Sequence, residues 1–132
     1  MRVPTRAGAM IDAARYVIAA VLCTLLFACG AEQARLPTQE WRGAIVGVET
    51  RPAPVVIGMN EFLVSATRKT GGAEHGLLVF IRMHESEPWT QSIQDGRTGV
   101  YRRAIAVGAV PQTLQVRVKR AGEEAVLMFP LH

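Results

Sequence analysis

The chain has 132 residues, 49% of them hydrophobic and 20% charged, with a formal net charge of +4. That length is one domain or less, and the composition is ordinary for a globular protein. Arg2, Arg6 and Arg15 against Asp12 place +2 of the charge in residues 1–28, leaving 12 basic against 10 acidic side chains in the remainder, too small an excess to imply a nucleic-acid partner.

The first segment, Met1 to Arg15, is positively charged, and "YVIAAVLCTLLFA" (Tyr16–Ala28) follows as 13 uncharged, mostly apolar residues. Signal-peptide cores run about 7–15 residues, whereas a membrane-spanning helix needs about 20. Residues 1–28 therefore read as a signal-peptide helix. Met10 serves equally as a start, because Met10 to Arg15 still supplies an Arg.

Leu26-Phe27-Ala28-Cys29 closes that run, and a polar stretch follows at once. The tetrapeptide resembles the lipobox of bacterial lipoproteins, matching at Leu26, Ala28 and Cys29 and departing at Phe27, where a small residue is commoner. The resemblance implies cleavage before Cys29, a diacylglycerol thioether on its sulfur and acylation of its new amino group. Cys23 would leave with the signal peptide, and the mature chain would hold neither a free thiol nor a disulfide. The acyl chains would tether the protein to the membrane at about 0.8 kcal/mol per buried methylene, on the periplasmic side of the cell envelope. Gly30 stands where an Asp marks inner-membrane retention in enteric bacteria, which slightly favours the outer membrane.

"GAEQARLPTQE" (residues 30–40) is small and polar, with Pro37 discouraging helix, and reads as a flexible tether to a domain over residues 41–132. From Trp41 the apolar period is two. "WRGAIVGVE" (41–49) is strand-like, weakened by Gly43 and Gly47, and "TRPAPVV" (50–56) is a loop or edge piece. "NEFLVSATR" (60–68) sets Phe62, Val64 and Ala66 on one face, and "KTGGAEH" (69–75) is a turn. "GLLVFIRM" (76–83) is apolar on both faces, as a central strand would be. "HESEPWTQSIQDGRTG" (84–99) is a long connection, and "VYRRAIAV" (100–107) is a strand. "LQVRVKR" (114–120) points Leu114, Val116 and Val118 inward and Gln115, Arg117 and Lys119 outward, and "AVLMFPL" (125–131) follows the turn "AGEE".

Six or seven short strands with turns every 8–12 residues or so predict an all-β fold, an antiparallel β-sandwich of about seven strands. The predicted core is Phe62, Val64, Leu77, Val79, Ile81, Tyr101, Ile105, Leu114, Val116, Val118, Leu127 and Phe129. Arg117 faces outward and is expected to contribute within about half a kcal/mol. Gly99-Val100-Tyr101 opens a late strand as in the tyrosine corner of immunoglobulin-like domains. Arg103 shares the face of Tyr101, Ile105 and Val107 and is expected to be partly buried, where a guanidinium needs a partner.

Gly58, Asn60, Phe62 and Val64, then Met83, then Gly99 and Tyr101, then Gly122 together resemble the pattern of the FixH/YtkA-like group of periplasmic immunoglobulin-like domains over most of residues 41–131. The resemblance implies an immunoglobulin-like sandwich and an accessory role in respiratory oxidase assembly or copper handling. The Met-rich segment of some relatives is reduced here to Met83-His84 and the acidic residues after it. These two are the weak metal candidates, since thioether and imidazole ligands suit copper, although adjacent residues on a strand face opposite ways. No other ligand set is spaced for a metal, and no cofactor is expected.

No Gly-x-Ser-x-Gly, Ser-x-x-Lys or His-Glu-x-x-His occurs, so nothing assembles a nucleophile, a base and an oxyanion site, and the chain is not expected to be an enzyme. An interaction role remains, with a protein partner in the envelope. Trp89 in the long connection is either an exposed interface anchor or folded back over the end of the sandwich. Arg102 and Arg103, with Lys119 and Arg120, are candidates for a basic patch that touches a partner or anionic lipid.

Overall fold

Two tight turns share one backbone signature. Arg42-Gly43 and Ala121-Gly122 have positive φ at both positions, 50° and 77° in the first and 50° and 81° in the second. That is the requirement of a two-residue type I′ hairpin, whose twist matches its strands. In the computed structural model, which describes residues 35–132, the first turn joins β1 (Gln39–Trp41) to β2 (Ala44–Arg51) and the second joins β8 (Gln112–Arg120) to β9 (Glu123–Leu131). Between them lie β3 (Gly58–Arg68), β4 (Leu78–Arg82), β5 (Thr90–Gln91), β6 (Ile93–Gln94) and β7 (Val100–Val107). Residues 1–34, on which the expected signal-peptide helix and Cys29 fall, lie outside the described residues.

The strands form two antiparallel sheets, β1-β2-β3-β7-β6 and β5-β4-β8-β9. Setting β1 and β5 aside, this is the immunoglobulin-like order, four strands facing three, with Greek-key connections. The long connection after β4 is where the chain changes sheets. β5 pairs with β4 through Phe80↔Gln91, β6 pairs with β7 through Ile93↔Arg102, and only Ser92 separates them. Its amide donates to the Val79 carbonyl at 2.8 Å and it is buried.

The core lies between the sheets and comes from alternate residues of each strand. Phe62 and Val64 from β3, Val79 and Ile81 from β4, Leu114, Val116 and Val118 from β8, and Phe129 from β9 are all essentially inaccessible. Leu77, Tyr101 and Leu127 are buried with them, and Ile105 packs partly buried against the cluster. Val46, Val48, Val55, Ala66, Met83, Val107 and Leu131 complete the buried cluster.

Several sequence expectations are revised. Leu36 packs against the core and Gln39–Trp41 is a strand, so the folded body begins before residue 41. The segment 41–49 is a hairpin rather than one strand, with Gly43 in its turn. The strand at 78–82 is fully buried on one face only, because its other side faces outward from the two-layer sandwich with no third layer of strands or helices packed on it. Leu78 is exposed and Phe80 half-buried. Arg103 is exposed although its partner on β3 is the buried Phe62. β6 begins only at Ile93, opposite Arg102, so β7 is an open edge from Arg103 on, and the side chain leaves through the gap. It needs no buried partner.

Tyr101 is not a tyrosine corner. It sits on β7, in the same sheet as β3, and its hydroxyl reaches across to the connection before β4. There it donates to the Glu74 carbonyl at 3.0 Å and accepts from the Leu77 amide at 3.2 Å. Burial pushes the phenol above its ordinary range, opposed by the Leu77 amide and reinforced by the Glu74 carboxylate. Gly99 makes this crossing possible. It has φ of +75°, and a Cβ there would lie 2.5 Å from the Ala66 carbonyl oxygen, so no other residue fits without a backbone shift.

Asn60 also has a structural job. Buried beneath the β2–β3 loop, it donates to the carbonyls of Val56 (2.7 Å) and Gly58 (2.9 Å) and accepts from the Val56 amide (3.0 Å). The alternation of Gly58, Asn60, Phe62 and Val64 is thus the inward face of β3 with its loop clamp.

Candidate functional site, the outer face of the β5-β4-β8-β9 sheet

Hairpin register decides which residues share the solvent face of this sheet. β4 and β8 pair Phe80 with Arg117 and Arg82 with Gln115. β8 and β9 pair Arg117 with Val126, Gln115 with Met128 and Lys119 with Glu124. Facing partners point the same way, so Leu78, Phe80 and Arg82 stand beside Gln115, Arg117 and Lys119, and these beside Glu124, Val126 and Met128.

The loop after β4 brings Trp89 onto this face. Glu87 caps the turn, its amide donating to the His84 carbonyl at 3.0 Å and its carboxylate accepting from the Met83 amide at 3.1 Å. Arg82 anchors the loop from below, its Nη1 donating to the Glu85 carbonyl at 2.9 Å and its Nε to Gln115 Oε1 at 2.9 Å. The Arg82 guanidinium then lies 4.1 Å from the centroid of the Trp89 ring. Arg117 lies 4.7 Å from the same ring and 4.8 Å from the ring of Phe80. Stacks of this kind are worth about 0.5–2 kcal/mol each. Trp89 is therefore folded back, over a sheet face and not over the end of the sandwich.

Charge on this face is unbalanced. Lys119 meets Glu124 at 3.4 Å. Among the described residues, no carboxylate lies within ion-pair distance of Arg82 or Arg117, and Arg117 Nε is buried without a hydrogen-bond partner. Around the guanidiniums, Leu78, Val126 and Met128 are 52%, 47% and 46% exposed. Trp and Arg set in an apolar surround are the composition of interface hot spots.

The other sequence candidates do not join this site. Arg102 is on the outer face of the opposite sheet, ion-paired with Glu61 (3.3 Å) and Asp95 (3.7 Å). Arg103 points the other way, beside a cleft of about 400 Å³ that Tyr101 and Ser92 also line. Arg120 reaches the end of the sandwich, donating to Glu74 at 3.0 Å and to the Arg42 carbonyl at 2.8 Å. The four cations thus face different ways and form no common basic patch. Met83 is in the core while His84 is exposed, so the weak metal pair is not brought together. No group of three or more His, Cys, Asp or Glu side chains gathers among the described residues. Cys29 lies outside the described residues.

Sequence reasoning found Trp89 and missed Phe80, Arg82 and Arg117. The available signal was the pairing of outward Arg117 with an apolar residue on a strand too apolar for one buried face. No family model, curated protein or solved structure matches this chain.

Proposed function

We propose that this protein is a lipid-anchored interaction module of the bacterial cell envelope. In this reading Cys29 holds it to the membrane, facing the periplasm. The outer face of the β5-β4-β8-β9 sheet docks a protein partner that presents carboxylates among apolar side chains, as an accessory to an envelope or respiratory complex. The observation that carries the reading is the Arg82-Trp89-Arg117-Phe80 stack, ringed by Leu78, Val126 and Met128. Its two guanidiniums have no carboxylate within ion-pair distance among the described residues. A partner carboxylate would meet preset cations on rigid aromatic supports, which lowers the ordering cost of binding. The FixH/YtkA-like resemblance and the lipobox resemblance supply the setting.

Two experiments test it. A photo-crosslinking residue placed at Leu78 in cells should trap a discrete partner, and one at Ala104, on the other sheet, should not. The Leu78 adduct should vanish in Arg117→Glu. Equal adducts from both faces, or an adduct indifferent to Arg117, would remove the docking face. Separately, the intact mass of membrane-extracted protein should show an acylated Cys29 as the N-terminus, and Cys29→Ser should leave an unprocessed precursor.

A further inference from the structure

Sheet edges expose unpaired backbone groups and are normally kept short, charged or covered. Three edges here obey that rule. β1 has three residues, and β5 and β6 have two each. The open part of β7 carries Arg103, a charge on the inward face, which is a recognised device against edge pairing. β9 is different. It has nine residues and pairs only with β8.

The register shows which of its backbone groups are open. In a two-residue hairpin the flanking pair, Arg120↔Glu123, exchanges both hydrogen bonds, and such pairs then alternate with open ones. Glu123, Ala125, Leu127, Phe129 and Leu131 thus bond to β8, while Glu124, Val126, Met128 and Pro130 turn their backbone groups outward. Two observations agree with this assignment. The Met128 carbonyl accepts from Gln39 Nε2, outside the hairpin. Pro130, which has no N–H, falls at an outward position, where a proline costs no ladder bond.

We propose that β9 is a self-association edge. Two copies of this chain pair antiparallel about a two-fold axis at Val126, joining their four-stranded sheets into one. The occupant is a second copy because the open span is symmetric about Val126. Gly122, in the turn, and Pro130, without a donor, close it four residues to either side. In that register Val126 meets its own counterpart and Glu124 meets the partner's Met128, so no like charges oppose. On the inward face Leu127 meets the partner's Ala125, large against small, extending both cores across the seam. The three outward pairs centred on residues 124, 126 and 128 supply about six backbone hydrogen bonds. The Met128 carbonyl serves both Gln39 and the partner, since it has two lone pairs. This inference rests on backbone register and is independent of the Trp89 face, which the dimer would leave open and extend.

Cysteine scanning of the full chain in membranes tests it, with the unsubstituted chain giving the background from Cys23 and Cys29. Val126→Cys should form a disulfide-linked dimer on mild oxidation, because facing Cα atoms of a bonded pair lie about 5.5 Å apart. Glu124→Cys and Met128→Cys should each stay at background, their counterparts being offset by roughly 13 Å along the strands. The two variants expressed together should link to one another. Val126→Pro removes an outward N–H without touching the β8 ladder, and it should abolish the 124–128 linkage while the protein still accumulates. Linkage of equal yield at all three single positions, no linkage at Val126, or linkage at Val126 only to a different protein would each overturn the proposal.

Discussion

The outer faces of the two sheets are built from similar residue types and organised in opposite ways. On the β1-β2-β3-β7-β6 sheet, cations meet carboxylates. Glu61 lies between Arg102 and Arg51 (3.3 and 4.0 Å), Arg102 also meets Asp95, and Lys69 meets Glu40 at 3.2 Å. Its exposed apolar residues, Met59 and Ile93, stand apart, one near the start of β3 and one on the β6 edge. On the β5-β4-β8-β9 sheet, Arg82 and Arg117 meet aromatic rings instead. The first face is complete in water, since its charges are neutralised locally. The second is held in shape by cation–aromatic stacking, which leaves the guanidinium charge uncompensated for something else to meet.

The largest test concerns what both faces stand on. Phe62→Ala and Phe129→Ala should each cost about 3–5 kcal/mol, against a total of about 5–15 for a small domain. Urea melts should find both variants largely unfolded at physiological temperature, with equal loss of the two faces. If only one face were lost, the sheets would not share a core.

Next is the strut between the sheets. Tyr101→Phe leaves the Leu77 amide and the Glu74 carbonyl without their partner and should cost about 1–3 kcal/mol. It should also flatten the alkaline limb of stability. Because the folded phenol titrates above its unfolded value, its contribution is whole below pH 10 or so and is lost as pH rises through the folded value. Melting midpoints measured between pH 8 and 11 for parent and variant would show the difference. Parallel curves would mean that the hydroxyl is not buried.

The two outer faces separate at smaller magnitudes. Trp89→Ala and Arg117→Ala should each cost about 1–2 kcal/mol, because each removes stacking and uncovers Phe80 or its neighbours. For Arg117 this exceeds the half kcal/mol expected of an ordinary outward residue on β8. Arg102→Ala, which breaks exposed ion pairs, should cost no more than about 1 kcal/mol and lose part of that in high salt. Urea melts of these variants at low and high salt order the two faces. Equal costs would abolish the distinction.

Alternation alone was enough to place most of the core. Phe62-Val64-Ala66, Leu114-Val116-Val118 and Leu127-Phe129-Leu131 are inward triplets in sequence and in the fold, because a strand with one buried face must repeat every second residue. The hairpin at Gly122 was equally legible, since it is local. Neighbours distant in the chain were not. Phe80 reads in "LLVFI" as the second apolar face of a central strand and becomes a platform only because β8 sets Arg117 beside it. Arg103 reads as partly buried, and is exposed because β6 begins only opposite Arg102. The Trp89 stack takes one cation from the strand before its loop and one from β8, a pairing set by sheet order. Sheet order is decided by which apolar faces bury one another, and that is a property of the packed chain, absent from the period of any one strand.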